Sequence, residues 1–544
     1  MGSALTRRGW LASAAAAALS GCAPRPAATP RASARPGQCI DASLQDAVNL
    51  NPLLYLNSGA ETQVEYSVFD ALWKIDPSGA FVPNLAVEIP TLANGGVSPD
   101  GLDWTIKLRP GVVWHDGAPF TARDVAFTLK TIRDPAIAVR SRNGHDHVEA
   151  ISTPDDLTVK IRLKSPFAPY LVSWQKTSIV PEHILAQEPD LSVAPFNSSP
   201  IGTGPFKFKN RVSGDHIEFV ANEAYHGGRP KLTSLIQKVV PDQQTLFAQF
   251  QTGEITILDG KGIPAELFAR AKALPGTKVI LAPSPYVEFF YFNLGKRQFA
   301  DKRVRQALYR AIDRAGWTDV LYYGLPEPTL SYLPASHWAY NHALKSPPFD
   351  PAGAARLLDE AGWRVGADGV RAKDGVRLAF TNTTSTGDRS RLQAQQLIQQ
   401  GFKAINVEMT IHNLPSAVVW GDFTSRSQFD TLLVGWDPVL YPDPDYTDRV
   451  ASHRIPARNG AGSNYAQYSN PEVDALCARG VAELDRQARR RIYARLQEIL
   501  LDELPFAPIF SYRSALGVSE RLTGFAPNSY TPCNSWNNAD WSVN

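Results

Sequence analysis

The chain has 544 residues, 44% of them hydrophobic, enough to bury large cores and to build more than one domain. A formal net charge of +2 argues against a nucleic-acid partner, which calls for a concentrated basic face. The four cysteines, Cys22, Cys39, Cys477 and Cys533, form no C-x-x-C pair and no Cys/His cluster, so no metal site is indicated.

Residues 1–22 read as an export signal: Arg7-Arg8 supply the positive region, Leu11 to Leu19 the apolar run, and Leu19-Ser20-Gly21-Cys22 the end. The apolar run is far shorter than the roughly 20 residues that a membrane-spanning helix needs. Leu-Ser-Gly-Cys resembles a bacterial lipobox, which implies cleavage before Cys22 and lipid on its sulfur; an ordinary cleavable signal is the alternative. Thr6-Arg7-Arg8-Gly9-Trp10-Leu11 resembles a twin-arginine export motif, with a general secretory signal as the other route. Residues 23–39, rich in Pro, Ala and Arg, read as a flexible tether.

The densest local signal is Ser98 to Ile132. Pro99-Asp100-Gly101 makes a turn, and Trp104, Ile106 and Leu108 alternate with Thr105, Lys107 and Arg109 as in a half-buried strand. After a His115-Asp116-Gly117 turn, Thr121 is placed to cap a helix with Asp124 as its capping-box partner, and Val125, Leu129 and Ile132 share one face. His145-Asp146-His147 reads as a polar loop, since adjacent residues rarely converge on one metal ion. Ser173-Trp174-Gln175-Lys176 matches the S-x-x-K nucleophile pattern, but no K-T-G follows. Helix starts are expected at Asp301, at Asp350-Pro351 and at Asn470-Pro471. Between Arg486 and Arg495, Ile492 and Leu496 mark a buried face, and Arg489-Arg490-Arg491 are expected on a solvated one. Strand-like runs alternate with helices throughout, which indicates a mixed α/β protein.

A Gly/Pro-rich loop, Gly435-Trp436-Asp437-Pro438-Val439-Leu440-Tyr441-Pro442-Asp443-Pro444-Asp445, follows the strand-like Thr431 to Val434. Its two aromatics and three carboxylates offer the flat apolar surface and placed polar groups that hold small solutes.

The Ser98–Val125 segment resembles the signature of the family 5 extracellular solute-binding proteins, the peptide, opine and nickel receptors of ABC importers. The match is carried by Ser98, Asp100-Gly101, Trp104-Thr105, Leu108-Arg109, Gly111-Val112, Trp114-His115-Asp116-Gly117, Pro119, Thr121-Ala122 and Asp124-Val125. It continues in Ile201-Gly202-Thr203-Gly204-Pro205-Phe206, in Phe292-Asn293 with Val304-Arg305-Gln306-Ala307-Leu308, in Tyr441-Pro442-Asp443-Pro444-Asp445, and in Tyr468-Ser469-Asn470-Pro471-Glu472-Val473-Asp474.

The resemblance implies a two-lobed periplasmic-binding-protein fold of type II, in its large form with an extra subdomain in lobe I. Lobe I is expected over about 40–287 and 513–544 and lobe II over about 288–512, with Tyr286 to Leu294 and Phe506 to Tyr512 as crossing strands. It also implies a monomeric, non-enzymatic receptor without cofactor, lipid-anchored in the periplasm or on the outer cell surface, that passes a solute to ABC permease subunits. The expected solute is a peptide or peptide-like compound; opines, oligosaccharides and nickel chelates are the alternatives. Rivals of another class are an exported serine acylase using Ser173 and Lys176, and a receptor that has become a folding helper or signalling partner.

Expected ligand contacts are Gly435, Trp436, Asp437 and Tyr441 in the loop, Tyr55, Asn57 and Ser58 from lobe I, Tyr286 and Phe289 at the hinge, and Asn464 and Tyr465 in lobe II. Peptide-binding members carry an Asp before the loop Tyr that pairs with the peptide ammonium, whereas this chain has Leu440. Either Asp437 takes over that role, or the ligand lacks a free α-ammonium there. Because the two ends of the chain return to one lobe in this family, a Cys39–Cys533 disulfide is expected, with Cys477 a buried thiol.

Overall fold

A computed structural model describes residues 36–54, 59–142, 144–258, 262–438, 441–460 and 462–544. The export signal, most of the tether, Tyr55, Asn57, Ser58, Val439 and Leu440 lie outside the described residues.

The Ser98–Ile132 segment folds as its pattern dictates. The strand Asp103–Lys107 pairs with Thr158–Leu163, which also pairs with Val148–Asp155, and Trp104, Ile106 and Leu108 are buried. The helix Ala122–Arg133 starts at Thr121, whose N–H donates to Asp124 Oδ2 at 2.8 Å, and it buries Val125, Leu129 and Ile132. These elements enclose a core of their own, running from Leu72 to Ile179. The His115 turn clasps the second family motif: His115 Nδ1 accepts from the Gly202 N–H, so Nε2 carries the proton and donates to the Gly204 carbonyl at 3.0 Å. Both glycines pack on the Val68 backbone, and a Cβ on Gly202 would lie 1.8 Å from the Val68 carbonyl oxygen. The motif is therefore a structural clasp.

One large mixed sheet runs through the molecule, from Glu408–Ile411 through Ala379–Thr383, Thr431–Trp436, Thr277–Phe292, Phe506–Ser519, Ile257–Leu258, Gln38–Ser43, Ser234–Val239 and His216–Ala221 to Phe206–Val212. Two of these strands, of 16 and 14 residues, are long enough to belong to both halves. Thr277 to Pro283 pairs with Arg513 to Ser519, beside the strand Ile257–Leu258. Val287 to Phe292 also pairs with Thr431–Trp436 of the other half. The register breaks between the two stretches, at Pro283/Val287, and again inside the second, at Glu288/Phe289. Such irregularity bends a sheet, and the expected lobe boundary falls beside it.

Each half has separate apolar cores. One side holds Val64, Phe206, Leu232 and Trp541, the other Phe290, Leu308, Leu358 and Phe402 together with a second cluster around Tyr291, Tyr446 and Leu496. The expected caps at Asp301, Asp350 and Asn470 accept from the first turns of the helices Lys302–Arg310, Pro351–Glu360 and Pro471–Ala482. Among the described residues no helix is long and apolar enough to cross a membrane.

Three expectations are corrected. Cys39 and Cys533 form no bridge: Cys39 faces the core of the first half, whereas Cys533 lines the cleft with Sγ 3.8 Å from the Thr62 carbonyl. Arg489 is not on a solvated face; it is buried, while Arg490 and Arg491 are exposed. His145 is not in a polar loop but wholly buried, its Nε2 2.9 Å from Thr177 Oγ1 and its ring 4.6 Å from Trp174. Cys477 is buried in the core around Tyr493.

Candidate functional site

Between the halves lies a cleft of about 510 Å³, the scale of a small-solute site. Its first wall comes from the helix Gly59–Val68 and the residues after it. Glu65 Oε2 pairs with Arg140 at 3.3 Å, and Glu65 Oε1 accepts from Ser178 Oγ at 2.7 Å. Asp70 accepts from Asn84 at 2.8 Å and His226 at 3.1 Å, with Lys74 at 3.6 Å. Burial alone would raise the Asp70 pKa, but these partners hold it well below the usual carboxylate range.

The back wall is the irregular stretch Ala282 to Tyr286, and the C-terminal segment Asn528 to Asn534 closes one end. Asn528 Nδ2 donates to the Ile75 carbonyl at 2.8 Å, fixing that segment to the first half. Tyr530 crosses the gap: its ring stacks on Tyr441 at 5.6 Å and its hydroxyl donates to the Ser336 carbonyl at 3.2 Å.

The second half contributes Asp437 and Tyr441. Of the three carboxylates in the Gly/Pro-rich loop, two are internal. Asp443 is held by both Nη atoms of buried Arg489, at 2.7 and 2.6 Å. Asp445 Oδ1 accepts from the Thr447 N–H at 3.0 Å, and burial raises its pKa to about 6. Only Asp437 reaches the cleft. Burial raises its pKa, opposed by the positive charges of Lys176, from the facing wall, and of Arg449. Burial likewise lowers the Lys176 pKa, with Asp437 opposing the shift.

The family profile of the bacterial extracellular solute-binding proteins, family 5 (Middle), matches residues 80–454. The chain belongs to this family. The oligopeptide-binding protein AppA of Bacillus subtilis is 29% identical over 499 residues, covering 90% of this chain and 89% of that protein. Its solved complex with a nonapeptide superposes with a TM-score of 0.74, covering 94% of this chain and all of the other at 27% identity. NikZ of Campylobacter jejuni, solved in complex with Ni(L-His), gives a TM-score of 0.77 at 27% identity, covering 93% of this chain and all of that one. Protein XP55 of Streptomyces lividans is 30% identical over 452 residues, 83% of this chain and 79% of that protein. The fold is accordingly the two-lobed binding-protein fold, and the matched family is one of binding proteins.

Within that fold, Tyr286, Asp437 and Tyr441 line the cleft together. The other described candidates do not. Phe289 is buried in the core, its ring 5.2 Å from Phe506. Gly435 leaves room for an ion pair: a Cβ there would lie 3.0 Å from both Arg391 Nη2 and Glu288 Oε2. Trp436 and Tyr465, rings 5.5 Å apart, hold the Arg449 guanidinium, 4.0 Å over the Trp436 ring. Asn464 is a loop staple that donates to the carbonyls of Ala451 and Tyr468 at 2.9 and 2.8 Å. Tyr55, Asn57 and Ser58 lie outside the described residues.

Glu65, Arg140 and Tyr530 are cleft residues that the sequence reading missed. Each sits outside any motif, and only the pairing of distant segments brings it to the cavity. Lys176 stood out in the sequence for another reason. The acylase reading needs Ser173 and Lys176 at one open site, yet Ser173 is wholly buried beside Gly144, and Lys176 lines the cleft.

Proposed function

We propose that this chain is the solute receptor of an ABC importer. It captures a peptide or peptide-like solute between lobe I, residues 40–287 with 513–544, and lobe II, residues 288–512, and delivers it to permease subunits. The observation that carries the reading is a cleft lined from both halves and backed by two long strands shared between them, whose register breaks at the crossing. Solute contacting both lobes favours the shut form, and that shape is what a permease can read. Binding, not bond making, is the task.

The peptide class is supported by the likeness to AppA and by a cavity walled with aromatic, amide and paired charged groups. Lipid on Cys22 and the tether of residues 23–39 would keep a monomeric body in water beside the membrane, on its periplasmic or outer face. Native mass spectrometry and thermal shift against peptide, opine, oligosaccharide and nickel-chelate libraries test the class. Peptide retention with a raised melting temperature is expected, and retention of only another class would replace it. Incorporation of labelled fatty acid that disappears in C22A tests the anchor.

A further inference from the structure

Tyr530 lines the cleft, yet it is only 4% exposed, because partners from both halves grip it. From the first half comes the turn 76–80, in which Pro77 and Ser78 are exposed. Gly79 of that turn has φ +77°, and a Cβ there would lie 3.0 Å from Tyr530 Cζ, so the ring needs a glycine beneath it. From the second half come Tyr441, whose ring stacks on it at an interplanar angle of 13°, and exposed Ser336, whose carbonyl accepts from its hydroxyl at 3.2 Å. The phenol therefore borders the cavity and ends among surface residues. Its backbone is fixed as well: the Tyr530 N–H donates to Asn528 Oδ1 and the Asn528 N–H to Asn534 Oδ1, each at 2.9 Å.

We propose that Tyr530 is the end stop of the cleft and sets the length of the solute, so that short solutes fit and long peptides do not. This rests on the reading that a peptide or peptide-like solute binds in this cleft. A cavity of about 510 Å³, taken as round, is about 10 Å across, the span of about three extended residues at roughly 3.3–3.6 Å each. At this end a longer chain could continue only past the phenol. There it would have to break the hydroxyl bond to Ser336 and unstack Tyr441, and these are contacts by which the two halves hold each other. A solute that pushes Tyr530 aside thus also parts the halves, against the closure that contact with both of them favours.

Native mass spectrometry of the full mature chain, offered an equimolar ladder of mixed-sequence peptides from two to nine residues, tests the stop. Retention by the parent should fall off beyond about four residues, and Tyr530→Ala should carry the cut-off to about six or more. Y530F keeps the ring and loses only the hydroxyl bond, so its cut-off should stay with the parent's. Y530L, which keeps apolar contact with Ile75 and Phe81, should move the cut-off in the same direction as Y530A and replaces it if that variant does not fold. A gain of longer peptides cannot come from lost stability, which lowers retention at every length. Equal retention of short and long peptides by the parent, or an unmoved cut-off in Y530A and Y530L, overturns the proposal. If the parent retains no peptide of any length, the peptide reading fails, and a crystal structure of the closed Y530A or Y530L protein decides the stop. A cavity that runs out to solvent between Gly79 and Ser336 supports it, and a cavity still sealed there overturns it.

Discussion

Asp437 and Asp443 stand six residues apart in one loop and have opposite fates. Asp443 is buried and answered at close range by both Nη atoms of Arg489. Asp437 faces the cleft, where the charges acting on it are Lys176 from the other half and Arg449 from its own. The comparison teaches that a carboxylate held by a buried two-pronged arginine keeps the loop in shape, whereas one at the cleft wall is placed to meet what enters the cavity.

The largest effect should come from breaking the internal pair. Arg489→Ala leaves Asp443 buried without its partner and should cost about 3–5 kcal/mol in urea unfolding. If the loss is under 1 kcal/mol, the two aspartates do not differ as described.

Acid should weaken the same loop next. His337 Nδ1 accepts from the Ala339 N–H, so Nε2 donates its proton to the Pro442 carbonyl, at 2.8 Å. Burial lowers the His337 pKa to about 4, so the folded state favours the neutral ring. Stability from this group is complete above the unfolded value of about 6.5 and is lost as pH falls toward about 4, roughly 2–3 kcal/mol in all. His115 and His145, lowered to about 4 and about 3, act in the same direction. A series of urea midpoints between pH 7 and 4 should therefore decline less steeply in H337Q than in the parent.

A smaller effect is expected at Gly435. A methyl group there meets the Glu288–Arg391 pair at 3.0 Å and the Tyr512 ring at 3.2 Å, so Gly435→Ala should cost about 1–3 kcal/mol by crowding. Asp437→Asn is the mildest for stability, under about 1 kcal/mol, because burial already disfavours the charged form of this cleft carboxylate. Its effect should instead appear in which solutes the protein retains. A large stability loss in D437N would make Asp437 a second structural carboxylate and erase the contrast.

Local elements were legible because their determinants are local. The Trp104-Ile106-Leu108 alternation, the Thr121–Asp124 capping box and the helix starts at Asp301, Asp350 and Asn470 depend on neighbours within a few residues. Spacing also found the loop that ends in the cleft, but not which of its side chains point there. Trp436 looked like a binding aromatic and instead holds Arg449, and Phe289 is core. Arg489, within a run of three arginines, looked solvated because its partner lies 46 residues away in sequence.

The sequence by itself determined the order of strands and helices, their caps, and the motifs that mark the family. Tertiary structure alone decided which charges meet. Glu65 finds Arg140, Asp443 finds Arg489, and Asp437 reaches the cleft between the halves. The physical reason is range: backbone conformation is set by steric and hydrogen-bonding preferences over a few residues, whereas a Coulomb interaction depends on distance in space and on burial, and chain position encodes neither.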